Sequence, residues 1–406
     1  MTRSIRVRLA VMMFLQYFTL GATMPILGHY LKNYLLFEPM QVGKVLAMPA
    51  VAAFIAPFFA AQVADRWISA ERLLALCHLL GGGVMLFLSR QHSFPAFLGV
   101  FLLYSLILAP TFAMTNTIAL HHSTDAKRDF GPIRLWGTLG WVAVGFSFGF
   151  LWLRGGGVDP ATSRLPDALL LSGIMSWILA SYAMTLPGSH TQPAKSGTPA
   201  SARGAFAVFA KPGVALLCVL AFFGSVLNQY YMQWISPYLS QCGYSDGQIM
   251  PLLTLGQISE IVVMGSLGRV LLRVGMKRTM ALGLAMQGVR FIAFAIGSPA
   301  LLVVAGLTLH GLTYAFFFVV AFIYLDSHCT REQRAGAQLI FNTIVSGFGS
   351  LSGSLLAGKS AQLLTIPGTS LIDFRIMWLI PASIAAVVLT ALLLRFRETT
   401  AQKVSA

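Results

Sequence analysis

An all-α membrane protein of twelve transmembrane helices, in two pseudo-symmetric six-helix halves, is the fold class this sequence predicts. Three observations predict it. Of 406 residues, 56% are hydrophobic and only 10% charged, with a mean hydropathy of +0.75; a soluble domain carries about 25% charged residues. Apolar segments recur along the chain, each near the ~20 residues that cross about 30 Å of hydrocarbon. One segment breaks this rhythm: residues 188–211, GSHTQPAKSGTPASARGAFAVFAK, are rich in Ser, Pro, Gly and Ala and read as a flexible linker between six spans and six.

The first span, 9–31, follows the basic start MTRSIRVR. It is too long for the apolar core of a signal peptide and has no small-residue cleavage site, so it is read as a retained helix. Spans two and three, 42–63 and 70–89, flank the basic string ADRWISAER. Spans four and ten, 95–120 and 299–325, are long enough to tilt or bend. Span five, 132–153, opens at Pro132, a residue that suits a helix start, and span six, 167–187, ends at the linker. The second half holds spans 212–239, 247–272, 276–297, 299–325, 333–358 and 370–394. The expected domains are therefore 1–187, the linker 188–211, and 212–406.

A net charge of +15 suggests nucleic acid until the charges are placed. With the N-terminus cytoplasmic, twenty Lys and Arg fall on that side, seven fall outside, and Arg290 lies within span nine. This is the positive-inside asymmetry, and it predicts two cytoplasmic termini rather than a nucleic-acid partner. The four cysteines show no paired or CxxC spacing, so neither a disulfide framework nor a metal site is expected. No GxxxxGK[ST] string is present, and no cofactor is expected; a proton gradient is the anticipated driving force.

The halves echo each other. AQVADRWISAERLLAL follows span two, and GSLGRVLLRVGMKRTMALG follows span eight, each with a small residue, then Asp65-Arg66 or Gly268-Arg269, then further basic residues. Two such halves are the plan of a secondary transporter. The paired loops resemble the signature loop of the major facilitator superfamily, ordinary positive-inside anchoring being the other account.

Chemistry inside the spans points to a polar ligand. Gln257 and Glu260 stand at i and i+3 in span eight, and an ionised carboxylate at mid-bilayer costs on the order of 2.5–3.5 kcal/mol. In span seven, Asn228, Tyr231 and Trp234 share one face, while Gln229 and Gln233 form a second polar edge. Carboxamides pair with base edges and aromatic rings stack on bases; hydrogen bonds between helices are the competing use of the same groups. Arg134, Thr138 and Trp141 project from one face of span five, with Arg134 read either as a ligand contact or as an interfacial anchor. His310 and Tyr314 lie at i and i+4 in span ten, where a lone His is either functional or a packing residue. Glu260 is either a proton carrier or the structural partner of Arg290, and a pairing that switches with protonation satisfies both. Gln16, His29, Asn116 and Asn342 are further cavity-lining candidates. His121, His122 and Asp125 raise a membrane enzyme as an alternative, but HHSTDAKRD has no companion nucleophile or metal spacing and reads as a solvated loop.

FLQYFTLGATMPILGHYL, ADRWISAERLLALCH, PTFAMTNTI, DFGPIRLWGTLGW, GQISE, VRFIAFAIG and RAGAQLIFNTIVSGFGSLSG occur in order over nearly the whole chain. Together they resemble the bacterial nucleoside:proton symporter family. RLWG and the aromatic seventh span also resemble permeases for phenylpropionate-type acids and other small solutes, including sugars. The nucleoside resemblance implies import by proton symport with alternating access in a bacterial inner membrane, by a functional monomer. It implies that Gln257 contacts substrate, that Glu260 lies at the coupling site, and that Arg134, Thr138 and Trp141 supply a cation, a hydroxyl and a stacking ring. These groups, with Asn228 and Tyr231, are expected to line one central cavity. One departure stands out: where the family has an Asp directly after the position of Tyr314, this chain has Ala315.

Overall fold

The computed structural model describes residues 1–55, 69–155, 162–188, 202–330 and 332–398. Among them, ten helices are long and apolar enough to cross a membrane: Arg3–Tyr34, Ala70–Leu88, Phe94–His121, Arg128–Gly155, Gly213–Gln241, Asp246–Val274, Met276–Ile296, Ala300–Ser327, Arg334–Leu363 and Phe374–Arg395. Two shorter apolar helices, Pro39–Ile55 and Asp167–Ala183, stand at the second and sixth expected spans. Residues 56–63 of span two and Asp65-Arg66 of the first basic loop lie outside the described residues.

Local chemistry sets the helix ends. Thr2 caps the first helix by accepting from the Ile5 amide, Glu38 and Gln41 form a capping box, and Asp373 caps the last span. Span five begins upstream of the expected Pro132, in helix Ala126–Ser147. Asp125 accepts from the Arg128 amide there, so the cap precedes the proline by two turns. Spans four and ten do depart from straight α-helix: one breaks at Ala109-Pro110, and the other has π-helical turns over Tyr314–Val319. Span eight runs as helix through the second basic string to Val274, and the chain turns only at Gly275, whose φ is 83°.

The linker expectation needs correction. Residues 189–201 lie outside the described residues, but Ala202–Phe209 is a helix. Its Val208 is buried and Phe209 packs on the core that Ala337 and Phe341 of span eleven help form. ARGAFAVF thus holds enough apolar surface to anchor a helical turn or two.

The chain forms two compact units. One comprises Met1–Lys195 with Gln233–Thr254, the other Ser196–Met232 with Leu255–Ala406. The division differs from one drawn at the linker because the end of span seven and the start of span eight belong to the first unit. Backbone contact through glycine explains this. A β-carbon at Gly28 would overlap the Gln233 carbonyl, and one at Gly145 would overlap the Thr254 hydroxyl. His29 Nε2 lies 2.7 Å from Asp246 Oδ1, and Asn33 donates to Ser240 at 3.1 Å.

Within each unit, small residues let helices meet closely, the packing mode open to helices that lose no water on association. In the first, Gly140 of span five abuts the Phe14 backbone of span one, and Gly82 abuts Gly173 between spans three and six. In the second, Gly353 of span eleven abuts Val226 of span seven, and Gly288 faces Ala385 between spans nine and twelve. The same pairing of helices recurs, one with five and three with six, which gives the sequence echo a structural counterpart. Polar ties close the helix ends: Arg6 to Asp129 in the first unit, and Arg334 to Asp326 and Lys211 to the His328 carbonyl in the second.

Candidate functional site

In the second unit, span nine carries Arg290 into the middle of the bundle, where it is fully buried. A guanidinium there must find partners on neighbouring helices. Its Nη1 donates to His310 Nδ1 at 3.0 Å, and its central carbon stands 4.0 Å from the centre of the Tyr231 ring. Tyr231 stacks on His310 at 5.4 Å and on Phe294 at 6.0 Å, and Phe294 meets Trp378 of span twelve. The cluster ties spans seven, nine, ten and twelve together. Arg290 Nε and Nη2 are buried without a hydrogen-bond partner. The sequence offered Arg290 to Glu260; the partner that Nη1 takes is His310.

Glu260 is half-buried where spans eight and ten meet. Gly311 of span ten lies against the Glu260 backbone and Gly256 of span eight lies against His310, while Ser259 Oγ donates to the Thr308 carbonyl at 2.6 Å. The backbone of Glu260 therefore sits beside the His310 turn. Gln257, one turn before Glu260, is half-buried, and so is Asn228, whose Oδ1 is sealed without a hydrogen-bond partner. Tyr314 follows His310 by one α-helical turn, its amide bonding the His310 carbonyl, yet it is 40% exposed where His310 is 6%. Ala315 is buried in the packed core, so no acid occupies that position.

In the first unit, Arg134 lies over the Tyr17 ring of span one at 4.1 Å, half-buried. Thr138 and Trp141 follow on the same helix, both half-buried, and Trp141 packs at the position of Gly21.

Other candidates resolve into structural roles. Gln16 is fully buried; its Nε2 donates to Thr111 at 3.0 Å and its Oε1 lies 2.7 Å from His78 Nε2, so it lines no cavity. His78 was passed over in an apolar run, and only its isolation among leucines signalled it. His29 serves the Asp246 contact. Gln229 donates to Ser354 of span eleven, an interhelical bond, and Gln233 is buried in the first unit with both amide atoms unpartnered. His122 bonds the Pro187 carbonyl, and Asp125 caps a helix. Asn116 Oδ1 is buried without a partner, and Asn342 is exposed. Among the described residues no group of three His, Cys, Asp or Glu is placed to hold a metal ion.

The model of the family described as nucleoside H+ symporter matches residues 3–401. The putative nucleoside transporter YegT of Escherichia coli K12 is 31% identical, over 97% of this chain and 94% of its own. The xanthosine permease of the same organism is 29% identical, over 94% and 93%. The crystal structure of nucleoside transporter NupG superposes with a TM-score of 0.84 at 26% identity, covering 97% of this chain and all of that one.

Proposed function

The chain belongs to the nucleoside H+ symporter family, and on that premise we propose that it imports nucleosides across a bacterial cytoplasmic membrane with Glu260 as the proton-coupling group. It is a multi-pass transporter and not an enzyme. The observation that supports the coupling assignment is a half-buried Glu260 deep in span eight, its backbone lying against span ten at Gly311. A proton taken from outside removes a costly charge at that depth and favours the loaded state; release of proton and substrate inside resets the alternating-access cycle. The membrane potential alone supplies about 2.3 kcal/mol per charge per 100 mV.

Substrate contacts follow from chemistry. Asn228 and Gln257 offer amides that match the donor and acceptor edges of a base. In the first unit Trp141 offers a stacking ring, Thr138 a hydroxyl and Arg134 a cation. From span ten come the ring of His310 and the exposed ring of Tyr314, with Tyr231 stacked behind His310. The charge distribution supports cytoplasmic termini, and the two halves are taken to divide at residues 188–211. One chain suffices for the cycle, so the working unit is a monomer.

The test is uptake into proteoliposomes with an acid exterior. Labelled xanthosine, adenosine and uridine should accumulate, and a protonophore should collapse the accumulation. Uptake of 3-phenylpropionate or maltose with no nucleoside uptake would overturn the reading.

A further inference from the structure

We propose that Arg290 is a positioning residue that holds His310 as its Nε2–H tautomer, so that His310 offers a fixed donor to an acceptor atom of the substrate and carries no proton through the cycle. The inference deepens the transport reading above and rests on it for the identity of the ligand.

The argument begins with donor and acceptor inventory. A guanidinium has N–H donors and no acceptor. Its Nη1 lies 3.0 Å from His310 Nδ1, so Nδ1 must be the bare nitrogen with its lone pair toward Arg290. The single proton of a neutral imidazole then sits on Nε2, the second nitrogen being fixed by the bond the first one makes. Arg290 cannot easily leave this role. It is fully buried, and the Tyr231 ring covers it at 4.0 Å.

Protonating His310 would require a hydrogen on Nδ1. That hydrogen would displace Arg290 Nη1 and set two cations face to face in an apolar bundle. The ionisable groups around the ring are Arg290 from span nine, Tyr231 stacked on it from span seven, and Glu260, whose backbone meets Gly311 beside it from span eight. Of these, Glu260 is the group whose charge changes in transport, which leaves proton coupling to the carboxylate.

The other edge of the ring is available. Among the described residues, His310 Nε2 has no hydrogen-bond partner and is not one of the sealed polar atoms, and the residue keeps 6% of its surface accessible. An Nε2–H there selects an acceptor: a base carbonyl, a ring nitrogen or a ribose oxygen. All three occur on nucleosides.

The test is nitrogen-15 NMR of the histidine-labelled full-length protein in lipid nanodiscs, with His310 assigned from its loss in His310→Gln. The expected spectrum shows a protonated Nε2 and a bare Nδ1, unchanged from about pH 5 to 8. An Nδ1–H tautomer, or an imidazolium appearing on acidification, overturns the proposal. Arg290→Met replaces the buried cation with an apolar chain and should leave His310 as a mixture of tautomers that titrates. Arg290→Lys keeps a donor and should keep the tautomer. In uptake assays, His310→Gln retains an N–H donor and should stay within about tenfold of wild type with an unchanged pH profile, whereas His310→Leu should weaken nucleoside binding by about tenfold or more. Loss of the pH dependence in His310→Gln overturns the proposal. A fixed tautomer in a protein that takes up no nucleoside would instead remove the transport reading and leave the role of Arg290 standing.

Discussion

Gly311 of span ten lies so close to span eight that a β-carbon at 311 would overlap the backbone nitrogen of Glu260 and the Ser259 side chain. The two helices therefore touch without a spacer at Glu260, the proposed coupling residue. One turn away, Gly256 faces His310, and the Ser259 hydroxyl bonds the Thr308 carbonyl, so the seam is fixed over more than a turn. On the proposed coupling role of Glu260, this seam is where its protonation would be felt by span ten.

Gly311→Ala should be damaging for this reason. Overpacking a tight site typically costs about 1–3 kcal/mol, and here the obstacle is backbone, which cannot rotate away. Thermal unfolding of purified protein should show a clear loss, together with reduced uptake. Gly265→Ala on span eight is the control. No atom lies within 4 Å of its β-carbon, so the variant should be neutral or gain up to about 1 kcal/mol from helix propensity. Equal behaviour of the two variants would refute the seam.

Glu260→Gln keeps the shape of the side chain and imitates its protonated state. Gradient-driven accumulation should be abolished, while substrate binding and counterflow exchange remain measurable. The pH dependence of exchange should also flatten, because the titrating group is gone. Accumulation at wild-type level with an unchanged pH profile would remove Glu260 from the coupling step.

Span positions, the two-part plan and the mid-span Glu260 were legible in the sequence because each is a local property: a run of apolar residues, a break in it, one charge within it. Partners were not legible. Arg290 and Glu260 sit on adjacent spans and invite pairing, yet span ten brings His310 to the guanidinium from 20 residues away. Tyr314 follows His310 by one helical turn as its spacing implies, but its 40% exposure beside a nearly sealed His310 depends on neighbours that spacing does not name. Gln16 and Gln229 looked alike as buried amides; whether each faces a ligand or a neighbouring helix depends on His78 and Ser354, three-dimensional neighbours that no spacing rule supplies.

Tyr231 should matter through its ring. Tyr231→Phe keeps the face beneath Arg290 and the stacking on His310 and Phe294, so stability should change little. Tyr231→Leu loses a buried cation–π contact of about 2 kcal/mol and leaves a void. Its melting temperature should fall well below that of Tyr231→Phe, and identical melting curves would refute the role of the ring.

The contact between His29 and Asp246 should stabilise the first unit. His29 is buried with Nδ1 already unpartnered, so Asp246→Ala would orphan Nε2 as well. The cost of such a buried orphan is about 1–3 kcal/mol. Asn33→Ala removes a bond at an exposed site and should stay within about 0.5 kcal/mol of wild type. Thermal unfolding of the two variants side by side decides the matter, and a loss no larger for Asp246→Ala than for Asn33→Ala would show the contact to be incidental.

Topology can be read with a native cysteine. Cys242, just past the end of span seven, is exposed, whereas Cys77, Cys218 and Cys329 are buried. The charge distribution puts the loop holding Cys242 outside. A membrane-impermeant maleimide should therefore label intact cells, and Cys242→Ser should abolish the signal. Burial holds this thiol above the usual range, against an opposing hydrogen bond with Tyr238. Because the thiolate is the reactive form, a raised pKa means a small reactive fraction at neutral pH. The labelling rate should keep rising with pH beyond the point where an ordinary thiol levels off. A cysteine placed in the central linker by Gly197→Cys, in a Cys242→Ser background, should label only after the cells are opened. Labelling of that linker cysteine in intact cells, with Cys242 silent, would reverse the orientation.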